Sequence, residues 1–354
     1  MMLFLADHPN HLPEHDGMAQ RIAAIDRCFS SQQRTYLKVS LLRHLHAERQ
    51  HIPEQRVTIW RLNLLLHCLL IVRLILSSSC LYCHSMGNLL YLLPLLRLRP
   101  YLIDLHGLVS DEFLMARRYA AFLRYRLAEW VAIPGAAGLI VVSEAMMQLV
   151  ASRYPRLSGR YWVVPIFDEV AFGEPEATTD PRPLLIYAGG AQVWQNVELM
   201  LRSYAQVRDR CRLRILTGDV QAFQEHLAAL GLEGFVELTT VPKQEVYYQY
   251  RQAQFGFILR DDLAVNRVAC PTKLVEYLAA GLVPIVLQPE IGDFVRHGYA
   301  PLLLEQLLRG ALPDKEKLEQ MRQRNFAAVS SLRQAAKAGI TGLVTFCQKL
   351  DGRA

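Results

Sequence analysis

The chain has 354 residues, 52% of them hydrophobic and 20% charged. That length accommodates two domains of ordinary size with sizeable cores, and the low charge density excludes a disordered chain. The formal net charge of +6 suits anionic small molecules or an anionic membrane surface. It is too diffuse to argue for nucleic acid, and no DNA- or RNA-binding motif appears.

Seven cysteines, Cys28, Cys68, Cys80, Cys83, Cys211, Cys270 and Cys347, are odd in number and scattered among apolar neighbours. That is the usage of reduced thiols in a cytosolic protein. Cys80-Leu81-Tyr82-Cys83-His84 formally matches a haem-attachment pattern. Haem attachment requires export, and the N-terminal residues show no charged segment followed by a cleavable apolar one, so a buried strand is the expectation.

In chain order, Met1 to Ala6 reads as a first strand and Asp7 to Asp16 as a polar loop carrying His8, His11 and His15. The histidine spacing matches no standard zinc pattern, so a solvated or acceptor-binding loop is expected there, with no metal. A helix starts near Gly17, with Met18, Ile22 and Ile25 on one face; Gly17 permits close backbone approach. Tyr36 to Leu42 and Val57 to Trp60 are strand candidates, Leu62 to Leu76 a helix, Cys80 to His84 a strand and Asn88 to Leu98 a helix. Leu62 to Tyr82 is very apolar, but His67, Arg73 and Ser77 to Ser79 interrupt it. A spanning helix wants ~20 largely uncharged residues. A buried helix and strand fit better, with a helix leaning on a membrane surface as the weaker alternative.

Tyr101 to Leu105 is a strand that runs into His106-Gly107. A histidine at the carboxyl end of a parallel strand stands where such sheets bind ligands, and it can donate to a sugar hydroxyl or meet developing charge. The competing reading is a structural histidine bonded to a turn. Asp104 is expected to orient that loop, and Asp111 and Glu112 to complement a helix start. Gly138 to Val142 is a strand, and Arg160 to Pro165 closes the first domain. Ile166 to Pro183 holds Pro175, Pro181 and Pro183 and reads as the linker.

The second domain opens with a strand, Leu184 to Tyr187, then Ala188-Gly189-Gly190-Ala191. Two glycines between a strand and a helix let a phosphate approach the backbone. Arg212 to Leu216 and Phe235 to Leu238 are strands, ending in Thr217-Gly218-Asp219 and Val241-Pro242. Phe255 to Leu259 is the next, and a polar loop with Arg260 and Arg267 follows. Pro271 opens a helix at its first position, apolar at Leu274, Tyr277 and Leu278, that Gly281 ends before a strand from Val283 to Leu287. Strand, loop, helix, strand is the unit of a parallel sheet. The helix N-terminus at Pro271 and Thr272 presents free N–H groups and a positive dipole end, to which Lys273 adds a full charge. Glu276, one turn on, can accept two hydrogen bonds from a ribose diol. Together they suit a nucleotide diphosphate. The competing reading is a surface ion pair between Lys273 and Glu276 on an ordinary helix. The remainder, Glu305 to Lys349, is expected to be mostly helical, punctuated by Gly310, Pro313 and Gly339.

The segment CPTKLVEYLAAGLVPIV, residues 270–286, resembles the donor-binding motif of GT-B glycosyltransferases of the family 4 type, closest to those that build bacterial surface polysaccharides. LPEHDGMAQRI, DLHG, VVSE and YAGGAQVWQN resemble other segments of the same family. The resemblance implies an α/β fold of two Rossmann-like domains facing across a cleft: residues 1–165 on the acceptor side, 166–332 holding the nucleotide sugar, and a helical tail 333–354 crossing back. It implies transfer of a sugar to a hydroxyl of a glycan or lipid-linked glycan, with retention, no metal and no other cofactor, at or near the inner face of the cell membrane. His106, Lys273 and Arg267 would serve catalysis. Gly17, Gly189, Gly190, Gly218, Val241, Pro242, Arg260, Asn266, Pro271, Thr272 and Glu276 would bind the donor, Glu276 through the ribose. Two departures stand out. The family's partner glutamate, eight residues before Glu276, is Val268, so Asp261, Asp262 or Asn266 would have to replace it. The arginine and lysine common in the glycine-rich loop are Gly190 and Gln195. Those departures keep open a nucleotide-sugar epimerase of the same fold, or a non-catalytic nucleotide- or glycan-binding partner; a cytochrome ranks last.

Overall fold

The computed structural model describes residues 1–11, 17–157, 159–165, 176 and 180–352. His15 of the expected histidine loop and most of the expected linker lie outside those residues. The chain divides into two compact units, Met1–Asp168 together with Gln334–Ala354, and Glu169–Arg333.

The first unit is built on eight strands: β1 Met2–Leu5, β2 Arg34–Ser40, β3 Glu48–Ile52, β4 Val57–Asn63, β5 Cys80–His84, β6 Tyr101–Leu105, β7 Gly138–Val141 and β8 Arg160–Val163. Their order in the sheet is β3-β4-β2-β1-β5-β6-β7-β8. All neighbours pair parallel except β3, which runs antiparallel on the edge. The sequence ERQHI explains why β3 escapes pattern reading: it has no apolar alternation, and four of its five residues are exposed. Charge on an edge strand is a common protection against pairing with another chain. The helices are α1 Gly17–Cys28, α2 Cys68–Leu76, α3 Ser85–Leu89, α4 Val109–Met115, α5 Tyr119–Ala132 and α6 Glu144–Arg153.

Two expected helices are shorter than their apolar runs. The one expected from Leu62 begins only at Cys68, because β4 continues to Asn63. There the Asn63 side chain accepts from the Leu65 and Leu66 amides at 3.0 and 3.2 Å and donates to the carbonyls of Leu41 and Arg43. That local turn competes successfully with helix. The segment from Asn88 to Leu98 is α-helical only to Leu89; Leu90–Leu98 is a 3-10 helix with Pro94 inside it. Proline supplies no N–H and crowds the preceding turn.

Several polar residues have partners that their sequence spacing does not reveal. Asp104 lies within β6 and binds across to α1. It is fully buried and takes Arg21 of α1 through Nε and Nη2, at 3.1 and 3.0 Å, and the Tyr82 hydroxyl at 2.9 Å. Arg21 Nη1 donates to the Val164 carbonyl at 2.6 Å. Burial alone would raise the Asp104 pKa, but the Arg21 charge and the His84 ring outweigh it and hold the carboxyl well below its usual range. Asp111 and Glu112 stand in the first turn of α4, as expected, and Asp111 also pairs with Arg153 of α6 and Arg126 of α5, at 2.6 and 3.2 Å. His8, expected in a solvated or acceptor-binding loop, is 2% exposed and meets the Tyr36 ring edge-on at 4.9 Å.

The second unit has six parallel strands: β9 Leu184–Ala188, β10 Arg212–Leu216, β11 Val236–Thr239, β12 Phe255–Ile258, β13 Val283–Val286 and β14 Leu302–Leu303. Their order is β11-β10-β9-β12-β13-β14, the doubly wound arrangement whose topological switch lies between the first strand and the fourth. The helices are α7 Val197–Ala205, α8 Val220–Ala229, α9 Lys243–Arg251, α10 Ala264–Arg267, α11 Thr272–Ala279 and α12 Leu304–Leu308, and α13 Lys315–Leu350 begins in this unit and ends in the first. The core joins the inner faces of β9, β10, β12 and β13 to α7 and α8. Gly339, expected to interrupt the last helix, lies inside α13. A Cβ there would collide with the Val163 carbonyl. Glycine is therefore a contact requirement, letting the helix backbone lie on β8, and Leu343 and Cys347 beyond it join the core of the first unit.

Removing Asp104 would leave the Arg21 guanidinium buried without its counter-charge. Asp104→Ala is therefore expected to cost about 3–5 kcal/mol, read as a lower urea midpoint by circular dichroism. A loss below about 1 kcal/mol would mean that the pair is solvated after all.

Candidate functional site

In the second unit the site is built where its sheet reverses order, from the loops that leave β9 and β12 and from the start of α11. Pro271 is one position earlier in the helix than expected. It is the N-cap, with ψ at 122°, and α11 begins at Thr272. No side chain caps that end, and the first turn contains no acid. Gly281, at φ 80°, ends the segment. Leu274, Val275, Tyr277 and Leu278 are buried, which leaves Thr272, Lys273 and Glu276 as the partly exposed positions.

Lys273 reaches back over the loop after β9. Its Nζ lies 4.1 Å from the centre of the Tyr187 ring and donates to Gln195 Oε1 at 3.4 Å. Among the described residues it makes no ion pair. Burial, and then the nearby Arg260 charge, push its pKa down to about 7, against a partial opposing pull from Glu276. The glycine loop fits around it. Gly189 has φ of 150°, and a Cβ on it would stand 2.6 Å from Lys273 Nζ. A Cβ on Gly190 would meet Asp219 Oδ2 at 2.5 Å. The loop is held on every side. The Gly189 amide donates to the Leu216 carbonyl at 2.9 Å, and the Ala188 amide to the Tyr277 hydroxyl at 3.2 Å. The Tyr187 hydroxyl donates to the Gly190 carbonyl at 2.7 Å, and the Ala191 amide to Asp219 Oδ2 at 3.2 Å.

Glu276 is positioned by a residue that pattern reading assigns to packing. Tyr250 is 2% exposed, stands edge-on to Tyr277 at 5.0 Å, and donates its hydroxyl to Glu276 Oε2 at 3.2 Å. Asn196 is a second such residue. In a left-handed conformation at φ 51°, it donates to the Leu259 carbonyl at 3.2 Å and to Asp261 Oδ1 at 2.9 Å. It thereby ties the segment after β9 to the loop after β12. Neither role has a sequence signal, since both depend on partners more than twenty residues away.

The loop after β12 brings some of the expected residues to the site and holds others elsewhere. Arg260 donates to Asn266 Oδ1 at 3.3 Å, and buried Asn266 donates to the Asp261 carbonyl at 2.9 Å. Arg267 is exposed and grips Asp262 through both Nε and Nη2, each at 2.5 Å. It would have to leave that pair to meet a ligand. Gly292, at φ 48°, lies so close to the backbone before α11 that a Cβ would collide with the Ala269 carbonyl. Gly218 follows β10 in open space. Val241 and Pro242 follow β11, at the edge of the sheet. Val268, where a second glutamate was expected by resemblance, is buried.

The first unit contributes its own candidates. His106 stands partly exposed just beyond β6, which lies beside β5, one of the two strands that flank the switch of this sheet between β1 and β5. The Glu112 carboxylate fills the space that a side chain at Gly107 would need. Gly17 is the first residue of α1. Among the described residues no group of histidines, cysteines and acids has the geometry of a metal site.

The sequence matches no family model and no curated protein. Its fold does match solved structures. Anabaena Alr3699/HepE in complex with UDP superposes with a TM-score of 0.67 over 97% of this chain and 99% of that one, at 13% identity. The same protein in complex with UDP-glucose gives 0.65. An α,α-trehalose-phosphate synthase (UDP-forming) from Burkholderia vietnamiensis gives 0.65 over 99% of this chain and 98% of that one, at 9% identity. The fold is GT-B.

The Lys273 environment has a measurable consequence in the protein alone. A lysine in the unfolded chain keeps its proton to about pH 10.4, whereas in the folded chain Lys273 loses it near pH 7. Above pH 7 the unfolded state therefore binds the extra proton, and stability should climb with pH through that window. Thermal melts from pH 7 to 9 are expected to show that slope, and Lys273→Met to flatten it. Parallel curves for the two proteins would place the lysine in water.

Proposed function

We propose that this protein is a glycosyltransferase that moves a sugar from a nucleotide-diphosphate donor to a hydroxyl of a glycan or lipid-linked glycan. The carrying observation is the uncapped first turn of α11, with Lys273 folded over the glycine loop and Glu276 held one turn further on by Tyr250. A diphosphate on that turn would meet helix amides and the dipole end. It would also supply a counter-charge to Lys273. Glu276 would take the ribose diol, and Asn266 with Asp261 would face the sugar side. Pro271 and Thr272 shape the helix end, and Gly189 and Gly190 leave room for the phosphates. Val241, Pro242 and Gly218 border the base in this reading.

Charge on the departing diphosphate grows as the glycosidic bond breaks. Preorganised donors aimed at that charge are commonly the largest catalytic contribution. Lys273 and the amides of α11 take this role, joined by Arg267 once it exchanges Asp262 for phosphate. We assign His106, with Gly17, to the sugar and acceptor side. The reaction needs no metal in this scheme: cationic side chains and helix amides do the work a cation would do. We take it to proceed with retention, the leaving phosphate guiding the incoming hydroxyl, and to serve surface polysaccharide synthesis on the cytoplasmic side. UDP is the first nucleotide to test, since HepE is held with UDP and UDP-glucose.

Isothermal titration with UDP-glucose tests the donor site. Glu276→Ala is expected to weaken binding about tenfold or more, the loss of hydrogen bonds to a charged group. Equal affinities in mutant and wild type would end the ribose assignment. The phosphodiesters of UDP-glucose do not titrate near neutrality, so pH reports on the protein. Binding should be full below pH 7 and weaken as Lys273, whose pKa is about 7, loses its charge. Lys273→Met should bind weakly and without that dependence.

A further inference from the structure

The first unit carries an apolar surface that its core does not use. On α5, Tyr119, Leu123, Leu127 and Trp130 recur at spacings of four, four and three, one face of a helix. All four are exposed, Leu123 and Trp130 at 65% each, while Ala128 and Ala132 on the opposite side are buried. The approach to α2 and α2 itself repeat the arrangement, with Leu66 at 63% and Leu69 at 83% exposed and Ile71 and Ile75 buried. The 3-10 segment Leu90–Leu98 packs against both α2 and α5 and adds exposed Tyr91 and Leu98. Exposed apolar side chains on three neighbouring elements are more than the scattered single residues of an ordinary surface.

The charge on these elements has one sign. Between Leu64 and Ala132 the exposed arginines are Arg73, Arg97, Arg99, Arg117, Arg118 and Arg124. The exposed carboxylate in the same stretch is Glu112, since Asp104 and Glu129 are buried and Asp111 is largely covered by its arginines. Leucines with tryptophan and tyrosine on one face, bordered by arginines, are the composition of a helix that lies in a membrane interface. No helix among the described residues is long and apolar enough to cross a membrane. A second copy of the chain suits the face less well, because a two-fold contact would bring arginines against arginines.

We infer that α2, the 3-10 segment and α5 form a face that docks on an anionic phospholipid surface, with leucines and Trp130 entering the headgroup boundary and the arginines meeting lipid phosphates. The inference does not depend on the donor site of the second unit. It also places the surface elsewhere than the apolar run Leu62 to Leu76 alone would: α5, whose sequence is broken by Arg124, Arg126 and Glu129, supplies the longest stripe.

Flotation with vesicles tests it. The full chain is mixed with vesicles of phosphatidylcholine alone, or of phosphatidylcholine and phosphatidylglycerol in equal parts, at low and high salt. The expected result is co-flotation with the anionic vesicles, weakened by salt. A triple variant, Leu123→Ser, Leu127→Ser and Trp130→Ser, alters exposed positions and should melt like wild type. It should bind about tenfold more weakly or worse. Arg73→Glu with Arg124→Glu should lose the preference for anionic vesicles. Absence of the wild-type chain from both floating fractions, or equal binding by the triple variant, would overturn the inference. So would a wild-type dimer in sedimentation that the triple variant dissolves, since the face would then belong to a second copy.

Discussion

The second unit is organised around a cation that the fold places under strain. Lys273 is drawn partly out of water, laid on an aromatic face and left near another cation. Desolvation and like charge both disfavour its protonated form. A side chain this long could relax by swinging into solvent, but Tyr187, Gln195 and the absent Cβ of Gly189 provide a fitted place for it. Such an arrangement disfavours the charged ammonium, and an anion placed beside it would relieve that cost. The loop bonds through Tyr277, Tyr187, Asp219 and Leu216 keep the glycine backbone from collapsing into the gap.

Sheet topology determines which loops can take part. In a doubly wound sheet the crossovers leave on opposite faces to either side of the switch, and the gap between them opens at the carboxyl edge. In the second unit that gap lies between β9 and β12, so the glycine loop and the Arg260 loop are its two rims. Asn196 bridges the rims through Leu259 and Asp261. Lys273 enters from α11, whose position follows from burial of Leu274, Tyr277 and Leu278 and from contact of its preceding loop with Gly292. Gly256 does the same for Tyr277: a Cβ there would lie 2.5 Å from the tyrosine ring.

Much of this was legible in the sequence because the information is local. Short apolar runs gave the parallel strands, and the helix α11 showed its period, its proline and its glycine. The glycines after β9 announced a loop that something approaches, although not that the approaching group includes a lysine of the same protein. The parts that were not legible depend on long-range partners. Asp104 is indistinguishable in sequence from a loop acid until Arg21, eighty-three positions away, is seen against it. Tyr250 looks like one of three tyrosines on a surface helix until its hydroxyl is found on Glu276. Arg267 reads as a phosphate ligand by its place in the loop, yet an acid five residues earlier already holds it. Leu62 to Leu66 has the hydropathy of helix, but one asparagine side chain satisfies the local amides first.

The two units handle charge at their sheets in opposite ways, and the contrast separates framework from site. In the first, the buried guanidinium of Arg21 is matched by Asp104, with Tyr82 and the Val164 carbonyl satisfying further polar groups. Breaking such a set is costly, yet the set itself has little left to offer a ligand. In the second, Lys273 at the switch has no carboxylate paired with it among the described residues. Glu276 is turned to Tyr250, Asp261 to Asn196 and Asp262 to Arg267. Each carboxylate is engaged by a different partner, and none of the three forms an ion pair with Lys273. A fold selected only for stability would pair that lysine or replace it with an apolar residue of similar volume. Its retention beside a glycine loop and an uncapped helix end is explained if the missing counter-charge comes with a ligand.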